Sequence, residues 1–346
     1  MVVPGPLAWD PPLADQDHRW RGWALVAGVL ALAAIVGLFI RLPYDVISPG
    51  ETRRVNDLFK VGGSAKVFEP RGQFLYTTVS VREGVNAYEA LAGWLSSVDE
   101  VESEKVIRGP LPQKVYDQLN RDLMADSKRA AEVVALGRLG YKVAQGAQIV
   151  SVDPAFPGAA GLQHDDVITE VDGKPISTAE DLVVAIRARK QGDHMRVRAA
   201  RAGAPRDVDV TVGGQPDRPM VGVRVSTFVR LPFDVTIDSG DVVGPSAGLA
   251  YALGLYDLLT PGELTKGVKV AATGELGLDG KVSPIGGIFQ KTVSVRRSGA
   301  SVLLVPRANY AEARKHSGKH LRVYAIDDFD SALRALNAFK GDKTAR

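Results

Sequence analysis

The sequence predicts a multidomain α+β protein in which one apolar helix near the N-terminus precedes the folded domains. An uncharged stretch of nineteen residues runs from Gly22 to Ile40. The middle of the chain shows short strand patterns separated by turns, and the region from about 220 to 338 alternates strand and helix patterns. A length of 346 residues is enough for two domains of ordinary size, about 100–200 residues each.

Composition narrows the class of protein. The net charge is only +3 and no Lys/Arg-rich run occurs, so we expect no nucleic-acid partner. The chain has no cysteine, which excludes disulfides, thiolate metal sites and a cysteine nucleophile, and leaves the cellular compartment open. We expect neither a metal ion nor a cofactor. His316 and His320 form an H-x3-H pair, but no HExxH motif accompanies them.

The N-terminal region predicts a tail and an anchor. Residues 1–19 are rich in proline and acidic residues and are expected to be disordered. Residues 20–42 are expected to form a transmembrane helix, since the apolar stretch matches the ~30 Å core of a bilayer. Trp20, Trp23 and Tyr44 lie where interfacial aromatics are common. A cleaved signal peptide is the alternative, and the flanking charges leave the topology undecided.

Residues 43–125 are expected to form a membrane-proximal α/β segment that packs on the C-terminal domain. GQFLYTTVSV (72–81) alternates apolar and polar residues, which is typical of a half-buried strand, and NAYEALAGWLSSV (86–98) has helical spacing. RDLMADSKRAAEVVALGRLGYKV indicates an amphipathic helix that ends near Gly137 or Gly140.

Residues 126–215 are expected to form a small β-rich domain together with that preceding helix. VSVDPAFPGAAGLQHDDVITEVDGKPI (150–176) resembles the circularly permuted bacterial PDZ domains of membrane and secreted proteases. The resemblance implies a groove that binds an extended peptide or a chain end as an added strand. By this analogy the groove lies between LGYKVAQGAQI (139–149) and the helix 178–189, for which Ser177 or Thr178 is the expected N-cap.

The C-terminal region, 216–340, contains GPSAG (244–248) at the start of an apolar helix-like stretch. A serine at such a position is often only a helix cap, but free amides at a helix start also stabilise a developing anion. A nucleophilic serine needs a base. None of the five histidines lies in a fitting motif, whereas a lysine can serve if burial lowers its pKa. Lys291 lies among apolar residues and is the candidate.

Several motifs in this region together resemble the proteolytic domain of Lon proteases. They are GPSAGLA (244–250), TGELGLDGKVSPIGGI (273–288), Lys291 and GASVLLVPRANY (299–310). The resemblance implies a Ser–Lys dyad in which Ser246 is the nucleophile and Lys291 is the general base.

The same resemblance implies supporting roles near the dyad. Thr273 is expected to contact the lysine, and the backbone at Gly244, Pro245 and Ala247 is expected to stabilise the oxyanion. Many Lon proteases carry an acidic residue three positions before the serine, where this chain has Val243. The acidic residues nearest to this position are Asp238 and Asp241.

The order of anchor, PDZ-like domain and Lon-like domain resembles the membrane-anchored, ATP-independent Lon-like proteases of Gram-positive, actinobacterial-type bacteria. The segment PYDVISPG after the apolar helix also fits this family. GELGLDGKV lacks the spacing of a P-loop and is expected to be a β-hairpin with an Asp-Gly turn.

The family resemblance predicts a serine endopeptidase that cleaves unfolded or membrane-associated polypeptides without ATP, with the PDZ domain selecting or gating substrate. It also predicts a hexamer, and a single-pass protein of the cell membrane whose PDZ and catalytic domains lie outside the cytoplasm. The alternative is a catalytically inactive, membrane-anchored PDZ adaptor. A Ser–Lys hydrolase of the penicillin-binding type is disfavoured because no S-x-x-K motif occurs.

Overall fold

The computed structural model describes residues 17–63, 65–156 and 161–339. Most of the predicted tail, residues 1–16, lies outside the described residues, as does residue 340 at the predicted end of the C-terminal domain. The predicted mixture of helices and strands is confirmed, and one apolar helix lies near the N-terminus.

The helices and strands of the described residues follow one another along the whole chain. The helices are α1 (Asp17–Phe39), α2 (Ala87–Leu95), α3 (Glu104–Arg108), α4 (Gln113–Arg138), α5 (Ala179–Arg187), α6 (Gly248–Leu258), α7 (Ile288–Arg297), α8 (Tyr310–His316) and α9 (Phe329–Ala338). The strands are β1 (Tyr44–Arg54), β2 (Phe59–Val61), β3 (Gln73–Arg82), β4 (Glu100–Ser103), β5 (Ala144–Val152), β6 (Val167–Val171), β7 (Lys174–Pro175), β8 (His194–Arg201), β9 (Ala204–Thr211), β10 (Gly213–Gln215), β11 (Arg218–Met220), β12 (Val223–Arg230), β13 (Val235–Ile237), β14 (Lys269–Ala272), β15 (Glu275–Leu276), β16 (Val282–Ser283), β17 (Val302–Pro306) and β18 (Arg322–Ile326).

Contacts within the chain define two units. The first unit contains α1, α2, α3 and β4 with the start of β1 and the end of β3, and the second contains the rest of the described chain. Their bounds are Met1–Pro49 with Val79–Gln113, and Gly50–Thr78 with Lys114–Arg346.

Helix α1 is the apolar feature of the first unit. It begins at Asp17 and so includes residues 17–19, which the sequence pattern assigned to the tail. Within it, Gly22–Phe39 is long and apolar enough to cross a membrane, and none of this stretch is buried. It is the one such helix among the described residues. Length and composition do not separate an anchor from a signal sequence, which shares both properties near an N-terminus.

The rest of the first unit is a small layer of helix on sheet. The start of β1 pairs antiparallel with β4, and α2 covers this pair by burying Ala90 and Gly93. Asn86 caps α2 through a capping box with Glu89, which satisfies amides that the first turn leaves free. Val46 and Val85 complete the core of the unit.

The C-terminal part of the second unit is built on a parallel sheet with helices on both faces. Strand β14 pairs in parallel with β3 and β17, and β17 pairs in parallel with β18. Phe74 and Tyr76 of β3 pack in the core that contains α6, whereas Leu75 packs in the core that contains α7. Residues 74–77 are therefore buried in succession. The expected half-buried alternation is wrong for β3, because a parallel strand covered on both faces has no solvent side.

The PDZ part of the second unit follows α4. Gly140, just beyond the helix, has a φ of +86°, which agrees with its predicted role as a C-terminal glycine. The sheet has the strand order β12-β5-β6-β8-β9, and α5 contacts both β5 and β12. Of the two predicted caps of α5, Thr178 is the one used, in a capping box with Asp181.

One buried ion pair ties the PDZ sheet to the loop before β6. Asp166 is fully buried, and its two carboxylate oxygens accept hydrogen bonds of 2.7 Å from Arg201. The backbone amide of Gln163 donates to the same carboxylate at 2.9 Å. Burial alone would raise the pKa of Asp166, but these hydrogen bonds hold the pKa below its ordinary value.

We expect Arg201→Ala to destabilise the PDZ domain at neutral pH, because it leaves the buried carboxylate of Asp166 without its partner. Arg198→Ala removes pairs to the half-exposed carboxylates of Asp207 and Glu170 and should destabilise the domain much less. Hydrogen exchange of the β5 and β6 amides measures the opening of this domain. Equal effects of the two substitutions would contradict the importance of the Asp166 pair.

Candidate active site

The GPSAG motif forms the turn that leads into helix α6. Gly244 has a φ of +89°, in the left-handed region that favours glycine. Pro245–Ala247 form one 3₁₀ turn, and Ser246 lies half-buried at its centre. A Cβ at Gly248 would lie 2.8 Å from Ser127 Oγ, so a larger residue would push the two segments apart. The glycines of the motif therefore permit both the shape of the turn and its close packing.

Lys291 reaches this turn from helix α7. Its Nζ lies 2.5 Å from Ser246 Oγ, within hydrogen-bond distance, although the two residues are 45 positions apart in the chain. The lysine is 3 % exposed and lies in the first turn of α7, where the helix dipole disfavours a cation. Burial lowers the pKa of Lys291 from its ordinary 10.5 to about 7. A large fraction of the amine is therefore uncharged at neutral pH.

Thr273 connects the lysine to the backbone of the serine. Lys291 Nζ lies 3.5 Å from Thr273 Oγ1, and this hydroxyl donates to the carbonyl oxygen of Ser246 at 3.0 Å. The amide of Gly274 donates to the same carbonyl at 2.8 Å. Because Thr273 directly follows β14 and its amide donates to Leu304 O, it is fixed to the sheet. The structure thus brings Ser246, Lys291 and Thr273 together in one site.

Helix α4 holds the other side of the turn. Ser127 Oγ donates to the carbonyl oxygen of Pro245 at 2.9 Å, and the amide of Gly244 donates to the carbonyl oxygen of Asn120 at 3.0 Å. Neither Ser127 nor Asn120 was identified from the sequence. The available signal was a serine on the apolar stripe of α4, between the buried residues Met124 and Ala130.

Two of the three residues predicted to stabilise an oxyanion are not free to donate. Pro245 has no backbone N–H, and the N–H of Gly244 is used by Asn120. Their role is to shape the turn. The remaining candidates are the amides of Ala247 and of Ser246 itself, which lie at the start of α6, where the helix dipole favours an anion.

Asp238 and Asp241, the acidic residues near the motif, are both exposed. Asp238 accepts a hydrogen bond from the amide of Gly240 and lies 3.9 Å from Lys60. Asp241 is exposed, and Val243, which takes the place of the family's acidic residue, is half exposed. Among the described residues no group of three or more His, Cys, Asp or Glu side chains is arranged to hold a metal ion.

A cavity of about 240 Å³ opens beside the nucleophile turn, between α4 and the hairpin of β15 and β16. Leu123, Ala130 and Leu276 give it apolar walls, and Pro245 lies at its edge. Its size and position suit one side chain of a peptide bound across the turn.

The PDZ part contains a second cavity, of about 420 Å³, between α5 and residues 217–223. Val183, Ile186 and Arg187 of α5 line one side. The predicted position of the groove, beside residues 139–149, is wrong because β12 pairs with β5 along its whole length and occupies that edge. Strand β12 is the terminal strand of this sheet, so a peptide strand would add next to β12.

Comparison with known proteins agrees with this arrangement. Residues 222–337 match the Lon protease (S16) C-terminal proteolytic domain, and residues 123–212 match the PDZ domain family. Lon protease 1 of Myxococcus xanthus is 28 % identical over 224 residues, which are 62 % of this chain and 25 % of that protein. Lon protease of Treponema pallidum is 36 % identical over 93 residues, which are 26 % of this chain and 10 % of that protein.

The matched segments therefore span a quarter or less of these Lon proteases. Among solved structures, the PDZ domain of the SdrC-like protein from Listeria monocytogenes is 23 % identical and aligns with 23 % of this chain and 86 % of that chain, with a TM-score of 0.22. The two family matches place a PDZ domain before a Lon-type proteolytic domain in this chain.

We expect Ser127→Ala to slow the reaction of Ser246 with a fluorophosphonate about five- to tenfold, since a lost hydrogen bond costs about 1 kcal/mol and here it loosens the turn. Ser317→Ala is the matched control. It removes a buried hydroxyl whose bonds, to Arg314 O and Gly318 O, stay at the end of α8. Mass spectrometry of the labelled protein gives both rates. An unchanged rate in Ser127→Ala would show that α4 does not position the nucleophile turn.

Proposed function

We propose that this chain is a serine endopeptidase whose catalytic pair is Ser246 and Lys291. The observation that carries the proposal is the 2.5 Å separation of Lys291 Nζ and Ser246 Oγ in a site where burial lowers the pKa of the amine to about 7. An uncharged amine at this distance accepts the hydroxyl proton and so activates the serine. The Lon-type match of residues 222–337 supports the same activity.

The geometry of the site supports the following reaction. The neutral amine of Lys291 takes the proton of Ser246 as Oγ attacks the peptide carbonyl carbon. The resulting ammonium gives that proton to the leaving amine, which frees the amine of Lys291 to activate a water molecule against the acyl-enzyme. Thr273 Oγ1 accepts a hydrogen bond from Nζ and so directs the lone pair of the amine toward Ser246.

The tetrahedral oxyanion is stabilised at the start of α6. The amides of Ser246 and Ala247 are the proposed donors, and one such donor is typically worth about 10²–10³ in rate. The cavity between α4 and the hairpin receives a substrate side chain next to the scissile bond.

The PDZ domain is proposed to select or gate polypeptide substrates. A peptide would add as a strand to β12, and its end would lie in the cavity along α5 near Arg187. Helix α4 joins the two domains, because one face contacts the nucleophile turn and its C-terminal end leads into β5. Substrates would be unfolded segments or the ends of membrane proteins.

Three further parts of the proposal rest on the family resemblance. ATP independence is proposed from the resemblance of the domain order to the ATP-independent Lon-like proteases. Gly280 and Lys281 lie in the turn of a hairpin and are followed by Val282, so this segment is not a P-loop. Anchoring through α1 is supported by the apolar stretch Gly22–Phe39. The placement of the PDZ and catalytic domains outside the cytoplasm is proposed from the family resemblance alone. Assembly into a hexamer stays a prediction.

Ser246→Ala and Lys291→Met should each lower kcat for a casein peptide by at least about 10³-fold, because the nucleophile and its base act as a unit. Lys281→Ala removes an exposed lysine of the hairpin and should leave kcat unchanged. Peptide cleavage is measured with and without ATP, and circular dichroism checks the fold of each variant. Retained cleavage in either dyad variant would disprove the mechanism, and a folded wild-type protein without activity would favour the adaptor alternative.

The pH dependence gives an independent test of the base. Below pH 7 the rate of fluorophosphonate labelling should fall about tenfold per pH unit, because the reactive form is the uncharged amine, and above pH 7 it should level off. Burial also raises the pKa of Glu132, on α4, to about 7. Glu132→Gln is therefore the control, and it should keep the profile of the wild type. If Glu132→Gln shifts the pH profile, the titration belongs to Glu132 and not to Lys291.

A further inference from the structure

Helix α2 has an outward face without a charged residue. Tyr88, Leu91, Trp94 and Leu95 are 42 %, 51 %, 59 % and 79 % exposed. The alanines at positions 87 and 92 are exposed as well. Soluble proteins seldom expose several large apolar side chains on one helix face unless the face is covered by something.

The charged residue of α2 makes its contacts at the N-terminus of the helix and does not lie on this face. Glu89, the one charged residue of the helix, accepts a hydrogen bond from the amide of Asn86 in the capping box. The same carboxylate lies 3.7 Å from Arg41. The outward face therefore offers a partner only apolar and aromatic side chains along most of its length.

The opposite face of α2 is fixed against the sheet. Ala90 and Gly93 are buried, and a Cβ at Gly93 would lie 2.7 Å from Val101 Cγ2 and 3.2 Å from Val46 Cγ2. Trp94 packs edge-on against Tyr44, with ring centroids 6.0 Å apart. Because the helix is seated this closely, it cannot rotate its apolar face into the protein.

The position of this face in the first unit indicates what covers it. The ring of Tyr88 lies 3.4 Å from the point where a Cβ of Gly37 would be, so α2 starts beside the last turn of α1. Arg41 Nη1 donates to Gly84 O at 3.1 Å, and the amide of Leu42 donates to Val85 O at 2.9 Å. The apolar surface of α1 thus continues onto α2 at the C-terminal end of α1. At this end of a spanning helix the bilayer would meet water.

We propose that the face formed by Tyr88, Leu91, Trp94 and Leu95 lies on the membrane, with its side chains in the boundary between lipid headgroups and acyl chains. Tyr and Trp are enriched at this depth, and amphipathic helices bind there through buried apolar area. The inference rests on the proposed anchoring by α1 and adds a second contact that fixes the first unit against the lipid surface. The occupant is the bilayer, since the face is continuous with the apolar helix.

The lack of cysteine in the chain makes the test direct, because each single-cysteine variant carries one label. The full chain is reconstituted in phosphatidylcholine–phosphatidylglycerol vesicles with an environment-sensitive NBD label at Leu95→Cys, Leu30→Cys or Glu312→Cys. Leu30 lies in α1, and Glu312 is exposed on the charged helix α8. Quenching is measured with lipids spin-labelled near the headgroup or deep in the acyl chain, and with aqueous iodide.

We expect the label at Leu95 to show a blue-shifted emission and quenching by headgroup-level spin labels, while the label at Glu312 is quenched by iodide alone. Deep spin labels should quench the label at Leu30. If Leu30 responds in this way and Leu95 is quenched by iodide like Glu312, the inference about α2 fails and the anchoring stands. A blue shift at Leu95 without lipid quenching would mean that another protein chain covers the face, and it would also overturn the inference. A label at Leu30 that no lipid quenches would overturn the anchoring and the inference together.

Discussion

The rest of the Lon-type domain is arranged to hold the buried amine of Lys291 close to the hydroxyl of Ser246. Burial takes the pKa of Lys291 to about 7, while the same amine in the unfolded chain is protonated up to about pH 10.5. The site therefore destabilises the fold at neutral pH, and the penalty fades as the pH rises toward that value. The surrounding packing has to offset this cost, and the parallel sheet covered by helices on both faces provides the buried area.

The scaffold brings two distant segments to one point. Strand β14 ends at Ala272, and the next two residues hold the carbonyl of Ser246 through the hydroxyl of Thr273 and the amide of Gly274. Helix α7 brings Lys291 from the other side. Helix α4 holds the third side of the turn, because Ser127 Oγ donates to the carbonyl oxygen of Pro245. Since α4 leads into the PDZ sheet, the helix that supports the GPSAG turn is also the helix through which the PDZ domain is attached.

Local features of the site were easier to predict from the sequence than the long-range packing. The local motifs predicted the turn at Ser246 and limited the cap of α5 to Ser177 or Thr178, because both features depend on neighbours within a few residues. Lys291, 45 positions from Ser246, was assigned through the family resemblance. The groove was misplaced because its outer strand, β12, comes from beyond the PDZ motif and its pairing with β5 leaves no local signal. Ser127 was missed for a similar reason. A single serine on an apolar stripe gives no sign of the carbonyl, 118 residues away, to which it donates.

The central claim is that the pKa of the Lys291 amine lies near 7, so that a large fraction of the amine facing Ser246 is uncharged at neutral pH. Its most direct test is the titration of the Nζ resonance by ¹⁵N NMR in ¹⁵N-lysine-labelled protein, with Lys291→Met used to assign the signal. A midpoint near pH 7 is the result predicted by the structure. A midpoint near 10.5, the ordinary value of a solvated lysine, would contradict the claim and remove the base from the proposed mechanism.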